Sequence, residues 1–556
     1  MKRIRAACLI VILFFVLVAA SPRAAQLDLL VDASTHFIRV PLDSSDPSQG
    51  MIFLAATLYQ PRLFSSAPAA VYIHGWGGRR LTGTDNLAYQ LAATGYVVLS
   101  YTARGFGGGE SGGQASLAGP SEINDLKEII DWLIDDPDGV IRPRVSKIGV
   151  VGASYGGGHG FQIASDPRVG AVCALVGWTD LEQALYPNGV INYKLGLAEF
   201  YGGLDRDTGS PPFYNYSQLQ FDMFDAGAEG HIPGEQVRRK LSSRSIARRD
   251  ENARESLIET RKPKAPIFII QSWDDYLFPA SQVMDVYEQI TSPKQIYLGR
   301  SGHPPGGHTY EGEEIYFGAQ VLRWFDHFLR DIGGKDSRTV TSAPAPFNNN
   351  FYSTVSLPSA DVETTSFYLK PNGVLLKKKK KKKAGAETAG GIFQPQRIRS
   401  SRLGVEIPSE SDMFSATVEN LPAQPRQLVY TLSPWAEDTE TFGSSEMSLY
   451  ISSDTSSDID IIVRSYDVAQ NGEETEVTVG VMHVSALQPG EIRKVTFKDF
   501  GDNWIFREGH RLRIKISNID FPDFRPPGVN DNQPSTFTLH YGKDFPSVVR
   551  LPVLKR

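Results

Sequence analysis

Between residues 66 and 330, short apolar or β-branched runs alternate with segments whose apolar positions recur at helical spacing. That alternation is the pattern of a parallel sheet covered by helices. The candidate strands are 70–74, 96–101, 147–152, 171–177, 266–272 and 295–300. Between the second and third lies 122–134, where Leu126, Ile129, Ile130, Leu133 and Ile134 fall on one helical face, so a β-α-β unit ends at residue 152. Two antiparallel-looking runs, 36–41 and 51–59, precede this unit, and an amphipathic helix around 313–329 closes it.

Residues 178–262 interrupt the alternation and predict a mostly helical cap over the sheet. Its aromatics, Tyr186, Tyr193, Phe200, Tyr201, Phe213, Tyr214, Tyr216, Phe221 and Phe224, either line a substrate pocket or pack the cap's own small core. A Pro/Ser/Asn-rich stretch, 336–360, reads as a linker. Beyond it the texture changes to short alternating strands separated by turn signals, at 447–452, 458–466, 476–484, 493–497 and 510–517, which predicts an all-β sandwich over 361–556. The lysine run 377–383 reads as a solvated loop between strands, with attraction to a membrane surface as the weaker alternative.

Composition narrows the partners. A chain of 556 residues with 41% hydrophobic content is ordinary globular material, enough for about two to four domains. With 57 Lys+Arg against 63 Asp+Glu there is no basic field of the kind nucleic acid requires. The basic start Met1-Lys2-Arg3-Ile4-Arg5, the apolar run 7–20 and the small residues Val18-Ala19-Ala20 match a secretory signal over 1–20. The run is too short for the ~20 residues a membrane span needs, so no stable span is expected after cleavage. Cutting after Ala20 takes the net charge from −6 to −9 and leaves Cys173 without a partner. It sits in an apolar run, where a buried inert thiol is expected. The expected location is therefore exported, periplasmic or secreted, with a catalytic unit over 27–335.

Gly152-Ala153-Ser154-Tyr155-Gly156 directly follows an apolar strand and leads into a segment that can open a helix. This is G-x-S-x-G in the context that gives it meaning: glycines on either side of the serine permit a sharp strand-to-helix turn that exposes the hydroxyl above an α/β-hydrolase sheet. A serine hydroxyl needs a histidine to take its proton and a carboxylate to orient that histidine, in the chain order Ser, acid, His. Strand 266–272 runs out into Trp273-Asp274-Asp275, and the next runs out into Gly299-Arg300-Ser301-Gly302-His303. His303 and His308 compete as base; the short, proline-stiffened path to His303 favours it.

The oxyanion hole is expected to combine the N–H of Tyr155 with one from His74-Gly75-Trp76-Gly77-Gly78, Trp76 being the second donor. His74 as the catalytic base is the weaker reading, because it ends a strand before the elbow and breaks the chain order. Gly107-Gly108-Gly109-Glu110-Ser111-Gly112 satisfies G-x-G-x-x-G, but no helix clearly opens there, so no dinucleotide is expected. The histidines show no H-E-x-x-H spacing and the cysteines form no pair, so neither a metal nor another cofactor is expected.

With these residues in place, the chain resembles the cocaine esterase/Xaa-Pro dipeptidyl-peptidase (CocE/NonD-type) group of serine α/β-hydrolases. The resemblance is carried by the elbow, by Arg104-Gly105-Phe106-Gly107, by Trp273-Asp274-Asp275 and by Gly302-His303. It continues through Ser433-Pro434-Trp435-Ala436-Glu437-Asp438 and Gly509-His510-Arg511-Leu512 into what looks like that group's C-terminal jelly-roll (galactose-binding-like) domain. It implies Asp275, which also lies further beyond the strand end than Asp274, as the triad acid. It further implies hydrolysis of a small ester or amide, or of a short peptide, through an acyl-enzyme; esterase is preferred to the alternative, a Xaa-Pro dipeptidyl-peptidase, because no anionic subsite for a peptide amino terminus is identifiable. The chain departs from the pattern at Thr102-Ala103-Arg104, where the group carries an aspartate two residues before the arginine. A catalytically silent jelly-roll protein holding carbohydrate or a protein surface is the reading from another class. An intact Ser, Asp and His in fold order argues against it. The sequence carries no signal for oligomeric state.

Overall fold

The computed structural model describes residues 30–192, 215–228, 231–249, 255–303, 313–334, 339–346, 351–370, 373–377, 396–399, 427–453, 458–518, 520, 523–525, 536–542 and 544–555. The expected signal segment, His308 and most of the lysine run lie outside them.

The first unit is a mixed sheet. Its strands are β1 (Val31–Pro41), β2 (Met51–Pro61), β3 (Ser66–Ile73), β4 (Val97–Tyr101), β5 (Arg144–Ala153) and β6 (Val169–Leu175). Two short ribbons follow in the chain, β7 (Ile191–Asn192) and the hairpin β8 (Ala247–Arg249) with β9 (Glu255–Leu257). The main sheet then resumes with β10 (Ile267–Ser272), β11 (Lys294–Gly299), β12 (Val340–Ser342) and β13 (Tyr352–Thr354), in the order β1-β2-β4-β3-β5-β6-β10-β11-β12-β13. From β4 to β12 all neighbours pair parallel; β1, β2 and β13 are antiparallel.

The apolar runs of the central strands are explained by burial on both faces. Alternate residues feed two cores: Val71, Leu99, Val150, Val172 and Ile269 face one, while Ala70, Val98, Val151, Cys173 and Phe268 face the other. Helix α1 (Leu87–Ala93) covers the second face; α2 (Pro120–Asp135) and α3 (Tyr155–Ile163) cover the first. The cap contributes α4 (Leu181–Leu185), α5 (Gln218–Ala228) and α6 (Glu235–Ser242), besides the β8–β9 hairpin. Helix α7 (Ala280–Val286) returns to the first face and α8 (Glu313–Arg330) to the second. Among the described residues no helix is long and apolar enough to cross a membrane.

The second unit, from Val362 to Leu554, is all-β: one strongly curved, nearly closed sheet of thirteen strands around a core that includes Phe367, Leu449, Ile461, Phe506 and Ile514. The stretch 336–360, expected as a linker, instead adds β12 and β13 to the first sheet. Strands of three residues are too short to show an alternation, and the prolines and asparagines between them dominated the composition. The two units meet closely: β7 pairs with Phe524–Arg525, and Ala345 bridges to Trp504.

Candidate active site

The carboxyl ends of β5, β10 and β11 place the expected triad. Ser154 sits between β5 and α3 with φ +56° and ψ −115°, a left-handed conformation that a non-glycine residue adopts only when its surroundings enforce it. Its N–H donates to the Leu175 carbonyl at 2.9 Å and its own carbonyl accepts from Gly158 at 3.1 Å. The flanking glycines are required by contact: a methyl group on Gly152 would lie 2.5 Å from the Gly156 carbonyl oxygen, and one on Gly156 would lie 2.3 Å from that of Ile73.

Strands β10 and β11 run parallel with Ser272 opposite Gly299, so the loops that follow them leave the sheet side by side. Ser272 Oγ ties them together, accepting from the N–H of Asp274 (3.2 Å) and of Gly302 (2.8 Å). The result is a hydrogen-bonded line: Ser154 Oγ to His303 Nε2 at 2.9 Å, and His303 Nδ1 to Asp275 Oδ2 at 2.9 Å. Because a carboxylate only accepts, Nδ1 carries the proton and Nε2 is left to accept from the serine. Asp275 is fully buried, and its other oxygen accepts from the N–H groups of Leu277 (3.0 Å) and Phe278 (2.8 Å). The Phe278 ring stands edge-on to the imidazole at 5.0 Å. Asp274 is turned away and pairs with Arg300 at 2.8 Å.

The expected oxyanion residues stand around the serine. Tyr155 opens α3, and the first N–H groups of a helix have no acceptor within it. A methyl group on Gly75 would lie 3.6 Å from Ser154 Cβ, so the loop carrying Trp76 passes directly over the nucleophile. The Trp76 ring is edge-on to Tyr155 (5.4 Å) and stacks on Tyr216 of the cap (5.8 Å, 16°). Of the expected cap aromatics, Tyr193, Phe200, Tyr201, Phe213 and Tyr214 lie outside the described residues; among the described ones, Tyr216 reaches the catalytic face.

His74 is buried and fully used: Nε2 accepts from the Ala103 N–H (2.9 Å), so Nδ1–H donates to the Gly75 carbonyl (2.6 Å). Desolvation pushes its pKa down to about 4, and the neutral ring clamps the loop that carries Trp76. The glycine-rich turn 107–112 opens no helix; the next begins at Pro120. Its Glu110 instead pairs with Arg80 (2.6 Å) and accepts from Thr102 Oγ1 (2.9 Å). A carboxylate thus reaches Thr102, where the resemblance expects aspartate.

Sequence reasoning missed Glu122, which accepts from the Tyr155 hydroxyl and from the N–H groups of Ser116 (2.9 Å) and Gly119 (2.6 Å), anchoring the residue after the nucleophile. The signal was present: Gly119-Pro120-Ser121-Glu122 is a helix start with proline first and glutamate third.

An α/β-hydrolase sheet carrying a nucleophile elbow, with histidine and acid at neighbouring strand ends, defines the class of serine hydrolases. Residues 50–305 match the family model described as X-Pro dipeptidyl-peptidase (S15 family), and residues 335–550 match that of the X-Pro dipeptidyl-peptidase C-terminal non-catalytic domain. The two models together account for most of the chain, which belongs to this S15-type family of serine hydrolases. The fold is similar to a crystal structure of an aminopeptidase from a marine sediment Thaumarchaeota archaeon (TM-score 0.70, 14% identity, 96% of this chain and 98% of that one). It is also similar to a CocE/NonD family hydrolase from Staphylococcus aureus (TM-score 0.67, 15% identity, 94% of each chain). A stretch of 166 residues, 29% of this chain, is 31% identical to the quorum-quenching protein AidA of Acinetobacter baumannii (strain MDR-ZJ06) and spans half of that protein's length.

Proposed function

We propose that this chain is an exported serine hydrolase that cleaves an ester or amide bond of a small molecule or short peptide through an acyl-enzyme on Ser154. The observation that carries the reading is the unbroken line from Asp275 through His303 to the Ser154 hydroxyl, both links at 2.9 Å. Ser154 Oγ attacks the substrate carbonyl while His303 Nε2 takes its proton, and Asp275 stabilises the imidazolium that forms. The N–H groups of Tyr155 and Trp76 hold the oxyanion. The imidazolium then protonates the departing alkoxide or amine. Water, deprotonated by the same histidine, attacks the acyl-serine and releases the acid.

The test is labelling of Ser154 by a fluorophosphonate, with p-nitrophenyl ester turnover measured alongside. Ser154→Ala is expected to fold normally, to lose the label and to lose about four or more orders of magnitude in turnover. Retention of more than about one per cent of the activity overturns the assignment.

A second reading, Xaa-Pro dipeptidyl-peptidase, is favoured by the two family models, both of that peptidase. Xaa-Pro-p-nitroanilides beside p-nitrophenyl esters separate the two by kcat/KM. Export is supported by the basic start and the apolar run 7–20. Mass spectrometry of the periplasmic or secreted protein is expected to find Ser21 as the first residue, and an uncut cytoplasmic chain overturns the export proposal.

A further inference from the structure

The loop that carries Asp275 is held largely by side chains from the other end of the chain. Trp273 Nε1 donates to Ser342 Oγ (3.0 Å), which donates to Asn503 Oδ1 (2.8 Å). Arg300, three residues before His303, pairs with Asp274 (2.8 Å). It also pairs with both carboxylate oxygens of Asp502, and donates to the Asn503 carbonyl (2.7 Å). The Tyr276 hydroxyl donates to Glu476 (3.0 Å), its ring packs on Phe500 (5.7 Å), and Glu476 is in turn fixed by Arg464 (2.5 Å). Asn503, Asp502, Glu476, Phe500 and Arg464 all belong to the all-β unit.

Two of these contacts bear directly on the triad. Arg300 grips the loop of the base and, through Asp274, the loop of the acid, while Tyr276 is the residue next to Asp275. A buried ion pair is a weak source of net stability but a strict fixer of geometry, since moving either partner leaves a desolvated charge. Side-chain exposures of 3% for Arg300 and 2% for Asp502 put this pair in that regime. An exposed pair across the same boundary, Lys498 with Asp285 (2.8 Å), has no such leverage.

We infer that the all-β unit is a positioning element of the hydrolytic site: Asp502, through Arg300, and Glu476, through Tyr276, set where His303 and Asp275 stand relative to Ser154. The inference rests on the triad assigned above. It makes these four positioning residues, because the contacts described reach the triad through its neighbours and not through a reacting atom. A purely structural role predicts something different: lower thermal stability with unchanged turnover in the molecules that remain folded.

The experiment uses the full-length protein with Asp502→Asn, which keeps shape and removes charge, and Tyr276→Phe, which removes one oxygen and keeps the ring. Active sites are counted by the end point of fluorophosphonate labelling, and kcat and KM for p-nitrophenyl acetate are expressed per labelled site. For Asp502→Asn, kcat is expected to fall about 10- to 100-fold with KM little changed, the scale of a misplaced catalytic group. The acid limb of kcat/KM moves to lower pH, because a less well held carboxylate favours the imidazolium less. Tyr276→Phe shows the same pattern more weakly, and is the deciding variant should Asp502→Asn fail to fold. Asp502→Glu restores part of kcat, and Lys498→Ala stays within about twofold of the parent. Wild-type kcat and pH profile in Tyr276→Phe and in folded Asp502→Asn overturn the inference while the triad stands. Activity retained by Ser154→Ala overturns the triad itself, so the two failures are distinguishable.

Discussion

Adjacent aspartates at 274 and 275 meet opposite fates within one residue step. Asp275 is fully buried and accepts from His303, Leu277 and Phe278; Asp274 keeps 27% of its side chain exposed and faces Arg300. The sequence favoured Asp275 on its distance from the strand end and on the family resemblance, and the structure brings it to the histidine. Asp275→Asn is expected to lower kcat by about 10⁴-fold, because an amide in that place offers the imidazole the wrong hydrogen-bonding pattern. Asp274→Asn should cost no more than about tenfold, since Arg300 keeps both oxygens of Asp502. Steady-state kinetics on folded, active-site-titrated protein checks the ranking, and the reverse order would transfer the role.

At the scale of elements, legibility followed burial. Two central strands, Val97–Tyr101 and Ile267–Ser272, were read to within a residue because a strand enclosed on both faces is a continuous apolar run, whereas the less apolar starts of β3 at Ser66 and β5 at Arg144 were missed. Strands β12 and β13 were missed because their pairing is decided by β11 and by the sheet edge, not by any pattern of their own. The Arg300–Asp502 and Tyr276–Glu476 contacts, each joining residues at least two hundred positions apart, leave no trace in local sequence. The loop after β3 was legible as a glycine-rich turn beside the serine, yet the use of His74 was not. Its neutral ring implies a pH dependence with a definite sign. Unfolding frees an imidazole of ordinary pKa 6.5, while the folded one stays neutral down to about 4. The stability contributed is therefore whole above about pH 6.5 and is lost as the pH falls toward 4, up to about 3 kcal/mol in all. His74→Asn removes the titration, so its Tm should start lower but fall less than the parent's between pH 7.5 and 5. Equal falls in thermal scans would show that His74 takes up its proton as readily in the folded as in the unfolded chain.

For the whole molecule, the boundary between the units is part of the fold of each. Ala345 bridges to Trp504, β7 pairs with Phe524–Arg525, Trp273 packs on Phe442, and the Arg300 guanidinium is neutralised largely from across the boundary. Separating the units would take both oxygens of Asp502 and the Asn503 carbonyl from Arg300 and would bare the rings of Trp273 and Tyr276. A buried charge stripped of its partner and a newly exposed apolar face each favour collapse or aggregation over an independent fold. A fair truncation must end after β13, because a cut at residue 340 would remove two strands of the first sheet along with the second unit. Fragment 21–358 is therefore expected to be insoluble. If it is recovered in solution, it should hydrolyse p-nitrophenyl acetate at no more than about one per cent of the full-length rate, because the acid and base loops lose their outer supports. Size-exclusion chromatography and fluorophosphonate labelling of the fragment make the check. A monomeric fragment, fully labelled and fully active, would mean that the first unit holds its own site and that the contacts at Arg300 and Tyr276 only join two finished domains.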